Sequence, residues 1–222
     1  QQLSKIIPTD TYYVDIYDPA EEALDVRVLI DDGQRFHPQR IPLGHGLASL
    51  VIRQRRPLLC RQLSKEQATL PVTPIVLGQA RQSESWLGVP MMVSDHVMGL
   101  LAVASYQPNA FTEDDVALLT NVAGQAALAL DNAYHHAQVE EQARRDSLTG
   151  IYNHGYLLQR LTELVEAGRE NKTPVSLIMM DIDYFKNYND TYGHVLGDDV
   201  LRLTVQAIQA HVKKTDLVGR WG

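Results

Sequence analysis

The sequence predicts an α+β protein: an antiparallel sheet with flanking helices, then a long connector helix, then a smaller α/β unit. Three observations predict this class. Alternating apolar and polar residues recur at short spacing in the first part of the chain, which is typical of a strand meander. No proline interrupts the stretch from Phe111 to Arg145. Further on, an apolar run at residues 175–180 leads directly into Asp181 and Asp183, as a buried strand leads into a site.

Composition bounds the class of protein and its partners. The 222 residues are 45% hydrophobic and 21% charged, which is typical of one large or two ordinary globular domains. The net charge of −7 argues against a nucleic-acid partner, because phosphate contacts require clustered basic residues. The single cysteine, Cys60, excludes an internal disulfide, so we expect a reducing, cytoplasmic compartment. The first residue is Gln1, so we expect the chain to begin inside a longer one; an upstream membrane anchor stays open.

The first part of the chain is expected to be a strand meander. Residues 11–18 and 24–30 alternate in polarity, with Pro19 between them and Gly33 after them. Further along the chain we predict a weaker strand at residues 36–43 and a short helix at 47–52. A buried strand is predicted at 57–60 and a hairpin at 85–106. The polar stretch 61–83 is expected to be a long loop that has room for a helix.

A long helix is predicted over residues 111–145. Thr112 is suited to the N-cap, and Asp115 follows at the spacing of a capping box. Small and apolar residues then recur in alternating steps of three and four, at Val116, Leu119, Ala123, Ala126, Leu130, Ala133 and Ala137. We expect the first half of this seam to pack on the sheet and the second half to form a homodimer seam. The charged residues 138–146 are expected to be an exposed connector.

The segments GLASLVIRQRRPLLC and SWLGVPMMVSDHVMGLLAVASYQPNAFTEDDVALLTNVAGQAALALDNA, in this order, resemble a GAF domain. The resemblance covers residues 11–132 and implies a sensory domain at 1–132 with an incomplete N-terminal helix. It implies either a pocket for a small-molecule ligand, which it does not identify, or a purely structural dimer module.

Four residues of this domain have a possible ligand role beside a plainer alternative. Cys60 could attach a chromophore, but its apolar strand favours a core position. His45 could contact a ligand, although a surface loop histidine is the better interpretation. Trp86 and Phe36 could line a pocket, whereas aromatic residues on strands usually belong to the core.

The last part of the chain has the pattern of an α/β unit. Residues 156–166 are predicted to be helical, 175–181 a buried strand, 199–213 an amphipathic helix and 216–221 the start of another strand. Two carboxylates, a lysine and an asparagine follow the buried strand closely. This combination is what a site for a metal-bound nucleotide requires.

Three further segments, DSLTGIYNH, PVSLIMMDIDYFKNYNDTYGHVLGDD and GRWG, resemble the GGDEF domain of diguanylate cyclases. The resemblance covers residues 146–222, leaves residues 133–145 as a helical connector and implies a fold like that of nucleotidyl cyclases. It implies that two GTP molecules are condensed into cyclic dimeric GMP with release of pyrophosphate, aided by Mg²⁺ or Mn²⁺. The alternative is a ligand-binding or dimerisation module whose GGDEF domain is degenerate and only senses nucleotide.

The resemblance also implies residue roles. Asp181 and the carbonyl of Ile182 are expected to bind metal; Asp183 is a possible secondary ligand or the N-cap of a helix starting at Tyr184. Phe185, through its backbone, and Lys186 are expected to bind the triphosphate, and Lys186 is also the candidate catalytic residue.

Asn189 and Asp198 are expected to read guanine, because an amide and a carboxylate suit its carbonyl and its N1/N2 donor edge. The alternatives are a turn residue for Asn189, a helix N-cap for Asp198 and a solvated helix lysine for Lys186.

Three departures from the family pattern bear on function. His154 stands where arginine is common, which puts in doubt a salt bridge from the domain to its linker. Lys213 and Asp216 stand in place of an Arg-x-x-Asp product-inhibition site, so we expect weak or absent product inhibition, since lysine lacks the bidentate geometry of arginine. Gly222 would be the first glycine of the signature, so we expect the second metal carboxylate beyond it and no cyclase activity in this fragment alone.

Overall fold

The computed structural model describes residue 7, residues 9–79 and residues 81–222, and the chain divides into two compact units, Gln1–His135 and His136–Gly222. The strands are β1 (Thr11–Asp18), β2 (Ala23–Asp31), β3 (Gln34–Arg35), β4 (Gln39–Pro42), β5 (Leu58–Cys60), β6 (Ser85–Val93) and β7 (His96–Ser105). The helices are α1 (Gly46–Gln54), α2 (Leu63–Glu66), α3 (Glu113–Ala143), α4 (His154–Asn171), α5 (Phe185–Tyr192) and α6 (His194–His211), with a 3₁₀ turn at Gln67–Thr69. The predicted α+β class is confirmed.

The strands of the first unit form one antiparallel sheet in the order β3-β2-β1-β7-β6-β5, with β4 also paired to β2. The alternating runs become strands because successive side chains of a strand point to opposite faces of the sheet, where each set can pack against its own neighbours. The register of β1 against β2 shifts between Val14 and Asp15, where a β-bulge places Asp15 opposite Val26. Such bulges redirect individual side chains in a strand.

The two faces of this sheet have separate cores. One face packs with α1 and the segment after β5, around Leu24, Leu47, Val51, Trp86 and Leu100. The opposite face packs under α3, around Leu87, Val89, Leu101, Val103 and Leu119. Both cores are built from residues that are almost completely removed from solvent, which is the main stabilising contribution to such a unit.

One predicted strand of the first unit is shorter than expected. Residues 36–43 are predicted as a strand, but only β4, Gln39–Pro42, forms there, and a gap separates it from β3, which ends at Arg35. Pro38 lies in the gap, and it has no backbone N–H to donate to a sheet ladder. The other predicted strands, the α1 helix and the hairpin agree with the structure, and Ser94 in the hairpin turn has a φ of 52°.

The long helix α3 begins as predicted. The backbone N–H and hydroxyl of Thr112 donate to Asp115 Oδ2 at 2.8 and 2.7 Å, and the amide of Asp115 donates back to the Thr112 hydroxyl at 3.3 Å. Its first half buries a stripe at Leu119, Ala123 and Ala127 against the sheet. In the second half, Leu128, Leu130, Tyr134 and Val139 are exposed. In the described part of the chain, no helix is long and apolar enough to cross a membrane.

The prediction of a buried strand at residues 175–181 of the second unit is wrong. Residues 173–182 form neither strand nor helix, and the side chains of Leu177, Ile178, Met179 and Met180 are 66, 78, 69 and 65% exposed. A strand requires a hydrogen-bonded neighbour, and none of the described residues pairs with this segment. The predicted strand at 216–221 is reduced to one parallel bridge between Tyr152 and Gly219.

Candidate functional site

The carboxylates predicted to hold metal lie in the turn that enters α5. Asp181 and Asp183 are exposed, and the carbonyl of Ile182 between them accepts a hydrogen bond from the Phe185 amide at 3.3 Å. The alternative of an Asp183 N-cap is wrong. The N-cap residue is Tyr184, which has a φ of 58°, and no side chain caps this helix end.

The predicted donor set matches the preference of a hard divalent cation. Mg²⁺ takes oxygen ligands, usually one or two protein carboxylates together with substrate phosphates. Asp181, Asp183 and the Ile182 carbonyl are oxygen donors on three consecutive residues. Among the described residues, no group of three or more His, Cys, Asp or Glu side chains is placed to hold a metal ion. The set thus offers the kind of oxygen ligand that such a cation prefers.

The predicted phosphate-binding residues open α5. Phe185 and Lys186 are the first two residues of this helix, and the Lys186 side chain is exposed. A flexible lysine at a helix N-terminus places a point charge where backbone N–H groups also favour an anion. Lys186, the lysine predicted to bind phosphate, thus follows both carboxylates within five residues of the sequence and lies on the adjoining turn.

Asn189, one of the two residues predicted to read guanine, lies at the contact between α5 and α6. A Cβ added to the buried Gly197 would lie 1.8 Å from Asn189 Oδ1, so the Asn189 amide rests directly on the Gly197 backbone. That Oδ1 atom is buried, and none of the described residues gives it a hydrogen bond. Asp198 follows Gly197 and is half-buried. An amide oxygen without a partner and a carboxylate are both hydrogen-bond acceptors, which suits a ligand with donor groups.

Two plainer interpretations of these residues are wrong. Asp198 is not a helix N-cap, because α6 begins at His194 with Gly193 as its N-cap, and Asp198 lies in the second turn. Asn189 is not a turn residue, since it lies inside α5. The predicted helix at 199–213 was therefore placed too late in the chain: the glycines at 193 and 197 concealed its first turn.

The opening motif of the second unit is closed by its last residues. The Asp146 carboxylate accepts hydrogen bonds from the Thr149 amide and hydroxyl at 2.9 and 2.6 Å, and Arg220 Nη1 lies 3.4 Å from both of its oxygens. Burial acts to raise the pKa of Asp146, but the Thr149 hydrogen bonds and the Arg220 charge outweigh it and lower the pKa. The sequence analysis missed this pair, although both residues belong to the segments DSLTG and GRWG.

The end of α3, which belongs to the second unit, is hydrogen-bonded to the opening motif of that unit, and none of these contacts involves position 154. The Asn153 amide group donates to the Ala143 carbonyl at 2.6 Å, and the Arg145 guanidinium donates to the Gly150 carbonyl at 2.9 Å. The guanidinium of Arg144 lies 5.2 Å from the ring centroid of Tyr156. His154 instead packs its ring edge-on against Trp221 at 4.0 Å.

The first unit contains a cavity of about 50 Å³ on the α1 face of its sheet. Leu24, Ile41, Leu47, Ala48, Leu63, Ile75, Val76, Leu77 and Ala104 give it apolar walls, and Thr11, Tyr13, Asp15, His45, Arg81, Gln82, Ser83 and Trp86 bring polar atoms to it. The Trp86 Nε1–H donates to the Tyr13 hydroxyl at 2.8 Å. Trp86 is thus both a core and a cavity residue, and Phe36 packs against the core.

Cys60 lies in the core, as the plainer interpretation expected. It is 1% exposed, and burial, with a smaller contribution from the Glu66 charge, raises the pKa of its thiol to about 12. A buried thiol that stays protonated is a poor nucleophile for chromophore attachment.

Comparison with known proteins identifies both units. The family described as GAF domain matches residues 3–131, and the family described as diguanylate cyclase, GGDEF domain matches residues 143–222. "Diguanylate cyclase A" of Treponema denticola is 31% identical over 139 residues, which are 60% of this chain and 36% of that protein. "Probable diguanylate cyclase DgcT" of Escherichia coli is 42% identical over 80 residues, which are 36% of this chain and 17% of that protein.

The structural comparison concerns the first unit. The GAF domain from a phosphoenolpyruvate-protein phosphotransferase of Coxiella burnetii aligns with a TM-score of 0.52 at 19% identity, over 62% of this chain and 80% of that one. At this identity the likeness shows the fold alone. The chain spans only 36 and 17% of the length of the two curated relatives. Because the GAF match covers more than half of the residues, the chain belongs to the GAF domain family, and a GGDEF domain follows its GAF domain.

Proposed function

We propose that this chain is part of a sensor-regulated diguanylate cyclase that condenses two GTP molecules into cyclic di-GMP and releases pyrophosphate. The observation that carries the proposal is the buried, unpaired Asn189 Oδ1 against Gly197, the residue before Asp198, within the segment that matches the GGDEF family. A polar atom left unpaired in the folded chain costs free energy unless a ligand pairs with it. Guanine offers the N1 and N2 donors that such a site requires.

The proposed roles of the other residues follow from their chemistry. Asp181 and the Ile182 carbonyl would hold the divalent cation, Mg²⁺ or Mn²⁺, with Asp183 as a secondary ligand. When bound, the cation neutralises phosphate charge and orients the substrate. Lys186 and the Phe185 amide bind the triphosphate, so that the α-phosphate is held for in-line attack by a ribose 3′-hydroxyl.

Regulation by the first unit is proposed through the connector. Residues 1–132 form the GAF domain, residues 133–145 the connector and residues 146–222 belong to the GGDEF domain. Two GTP-loaded domains must meet, which a homodimer along the exposed second half of α3 would achieve; Leu128, Leu130 and Tyr134 supply apolar contact area. A cytoplasmic location agrees with the GTP substrate and with the reduced Cys60.

The test measures cyclic di-GMP and pyrophosphate formation from GTP by the natural protein that contains these residues. Lys186→Ala should lower turnover about 100-fold, as expected for loss of one group that stabilises transition-state charge. Lys214→Ala, an exposed lysine after α6, is the matched control and should leave turnover unchanged. GTP binding without turnover in the wild-type protein would overturn the proposal and support the degenerate, nucleotide-sensing alternative.

The connector is tested separately. Inserting two residues after Gln138 rotates whatever follows by about half a helical turn, because each residue turns an α-helix by roughly 100°. Turnover should change markedly, whereas a seven-residue insertion, about two full turns, should preserve it better. Equal activity of both insertion variants would rule out coupling through α3.

A further inference from the structure

The most unusual polar group of the first unit is the carboxyl group of Asp15. It is 1% exposed, and neither of its oxygens has a hydrogen-bond partner among the described residues. Neither oxygen pairs with a described cation, and Asp15 lines the cavity. A buried carboxyl group without a partner is destabilising, so it requires an explanation other than packing.

The position of Asp15 in β1 directs it into the cavity. Thr11 and Tyr13, four and two residues earlier, line the same cavity, whereas Val14 and Ile16 pack on the opposite core. The adjoining β-bulge places an extra residue, Arg27, in β2, so the alternation of β1 itself continues through Asp15. This alternation presents the carboxyl group to the cavity.

The surroundings of Asp15 favour one class of ligand. The cavity walls include the aromatic rings of Tyr13 and Trp86, which attract cations at their faces, and several aliphatic side chains. The other charged or titratable groups that line it are Tyr13, His45 and Arg81, and the Arg81 guanidinium lies 4.1 Å from the centroid of the Tyr106 ring. The volume of about 50 Å³ has room for only a few non-hydrogen atoms.

We infer that the GAF cavity binds a small primary alkylammonium ion, whose N–H groups donate to the Asp15 carboxylate and whose alkyl group contacts the apolar walls. Charge-assisted hydrogen bonds to a buried carboxylate are stronger than neutral ones, so the cation is preferred over an alcohol of the same size. Burial raises the pKa of Asp15 to about 7, and the bound cation would lower it again. The inference gives a chemical class to the ligand of the proposed sensory domain.

The experiment uses propylammonium chloride, with 1-propanol as the neutral probe of equal size and sodium chloride to match ionic strength. Propylammonium should raise the Tm of the wild-type chain above both controls, because a ligand that binds only the folded state stabilises it. Asp15→Asn should weaken binding tenfold or more. Asp32→Asn removes the same charge at an exposed position with a φ of 47°, which asparagine tolerates, and should bind like wild type.

A second measurement needs no variant. The Trp86 indole N–H, bonded to Tyr13, should shift in the NMR spectrum as propylammonium is added, while that of Trp221, 56% exposed in the other unit, should not. Equal shifts with propanol, no shift at all, or undiminished binding by Asp15→Asn would each overturn the inference. No nucleotide is present in these measurements, so failure here is distinct from failure of the cyclase proposal.

Discussion

The two units of this chain differ in how completely their apolar residues find partners. In the first, every strand is paired, and both sheet faces are covered by helices and loops. In the second, the most apolar segment, Leu177 to Met180, lies exposed and unpaired among the described residues. Hydrophobicity alone therefore does not form a strand: the segment also requires a neighbour for its backbone hydrogen bonds.

The sharpest test of this difference compares one leucine with one isoleucine. Leu100→Ala removes a fully buried side chain from the core that contains Trp86, so the free energy of unfolding should fall by about 2–5 kcal/mol. Ile178→Ala changes a side chain that is 78% exposed and should cost less than about 0.5 kcal/mol. Urea unfolding followed by Trp86 emission, in a Trp221→Phe background, measures the first; thermal unfolding measures the second. A similar cost at both positions would contradict the contrast.

The next largest effect concerns the buried Asp15 carboxyl group of the first unit, which has no hydrogen-bond partner among the described residues. The raised pKa of Asp15, about 7, means that the folded chain keeps this proton while the unfolded chain loses it near its ordinary value of 3.8. Stability from this group is therefore fully present at low pH and is lost as the pH rises towards 7. Between about pH 5 and pH 8, Asp15→Asn should gain about 2–3 kcal/mol relative to wild type.

Paired unfolding measurements at the two pH values check this sign. His45 and Arg81, which line the same cavity, are present in both proteins, so the difference between them reports on Asp15. Asp32→Asn is the control and should show a pH dependence parallel to that of wild type. A gain that shrinks with rising pH would show that Asp15 is ionised in the folded state at low pH.

Sequence reasoning predicted the first unit well because its signals are local. Alternation over residues 11–18 and 24–30 and the Thr112 capping box each depend on a few neighbouring residues, and both strands and the capping box are present. That the Asp15 carboxyl group has no described hydrogen-bond partner could not be predicted, since this depends on which distant residues line the cavity. The strand at 175–181 was predicted wrongly because its apolar pattern carries no information about the distant partner that a strand needs.

The candidate site was predicted at the level of residue types but not of their setting. The order Asp181, Lys186, Asn189, Asp198 could be taken from the sequence, whereas the contact of Asn189 with Gly197 depends on how α5 meets α6. Glycine at 197 was visible, but only the structure explains it by the close approach of an amide. The pairing of Asp146 with Arg220 spans 74 positions and had no local signal.

That contact gives the third prediction, which sharpens the comparison within the second unit. Gly197→Ala places a methyl group where Asn189 Oδ1 now lies, so the amide must move, and guanine-nucleotide affinity should fall about tenfold. Gly124→Ala adds a methyl group on α3 with no atom within 4 Å and should instead stabilise the helix by up to about 1 kcal/mol. GTP titration of both variants tests the contrast. Unchanged GTP affinity in Gly197→Ala would remove Asn189 from the base-reading role.

The smallest expected effect concerns the ion pair that closes the second unit. Asp146 and Arg220 are partly exposed and 3.4 Å apart, so their coupling should be at most about 1 kcal/mol. Because the pKa of Asp146 is lowered, the coupling is present above its unfolded-state pKa and is lost as the pH falls through the folded-state value.

A double-mutant cycle of Asp146→Asn and Arg220→Gln isolates this coupling free energy. It is measured by hydrogen exchange of two backbone amides: that of Tyr152, which donates to the Val218 carbonyl, and that of Arg220, which donates to the Tyr152 carbonyl. The exchange rates should rise by no more than about fivefold in each variant, and not further in the double variant. Additive effects at neutral pH would show that the two side chains act separately.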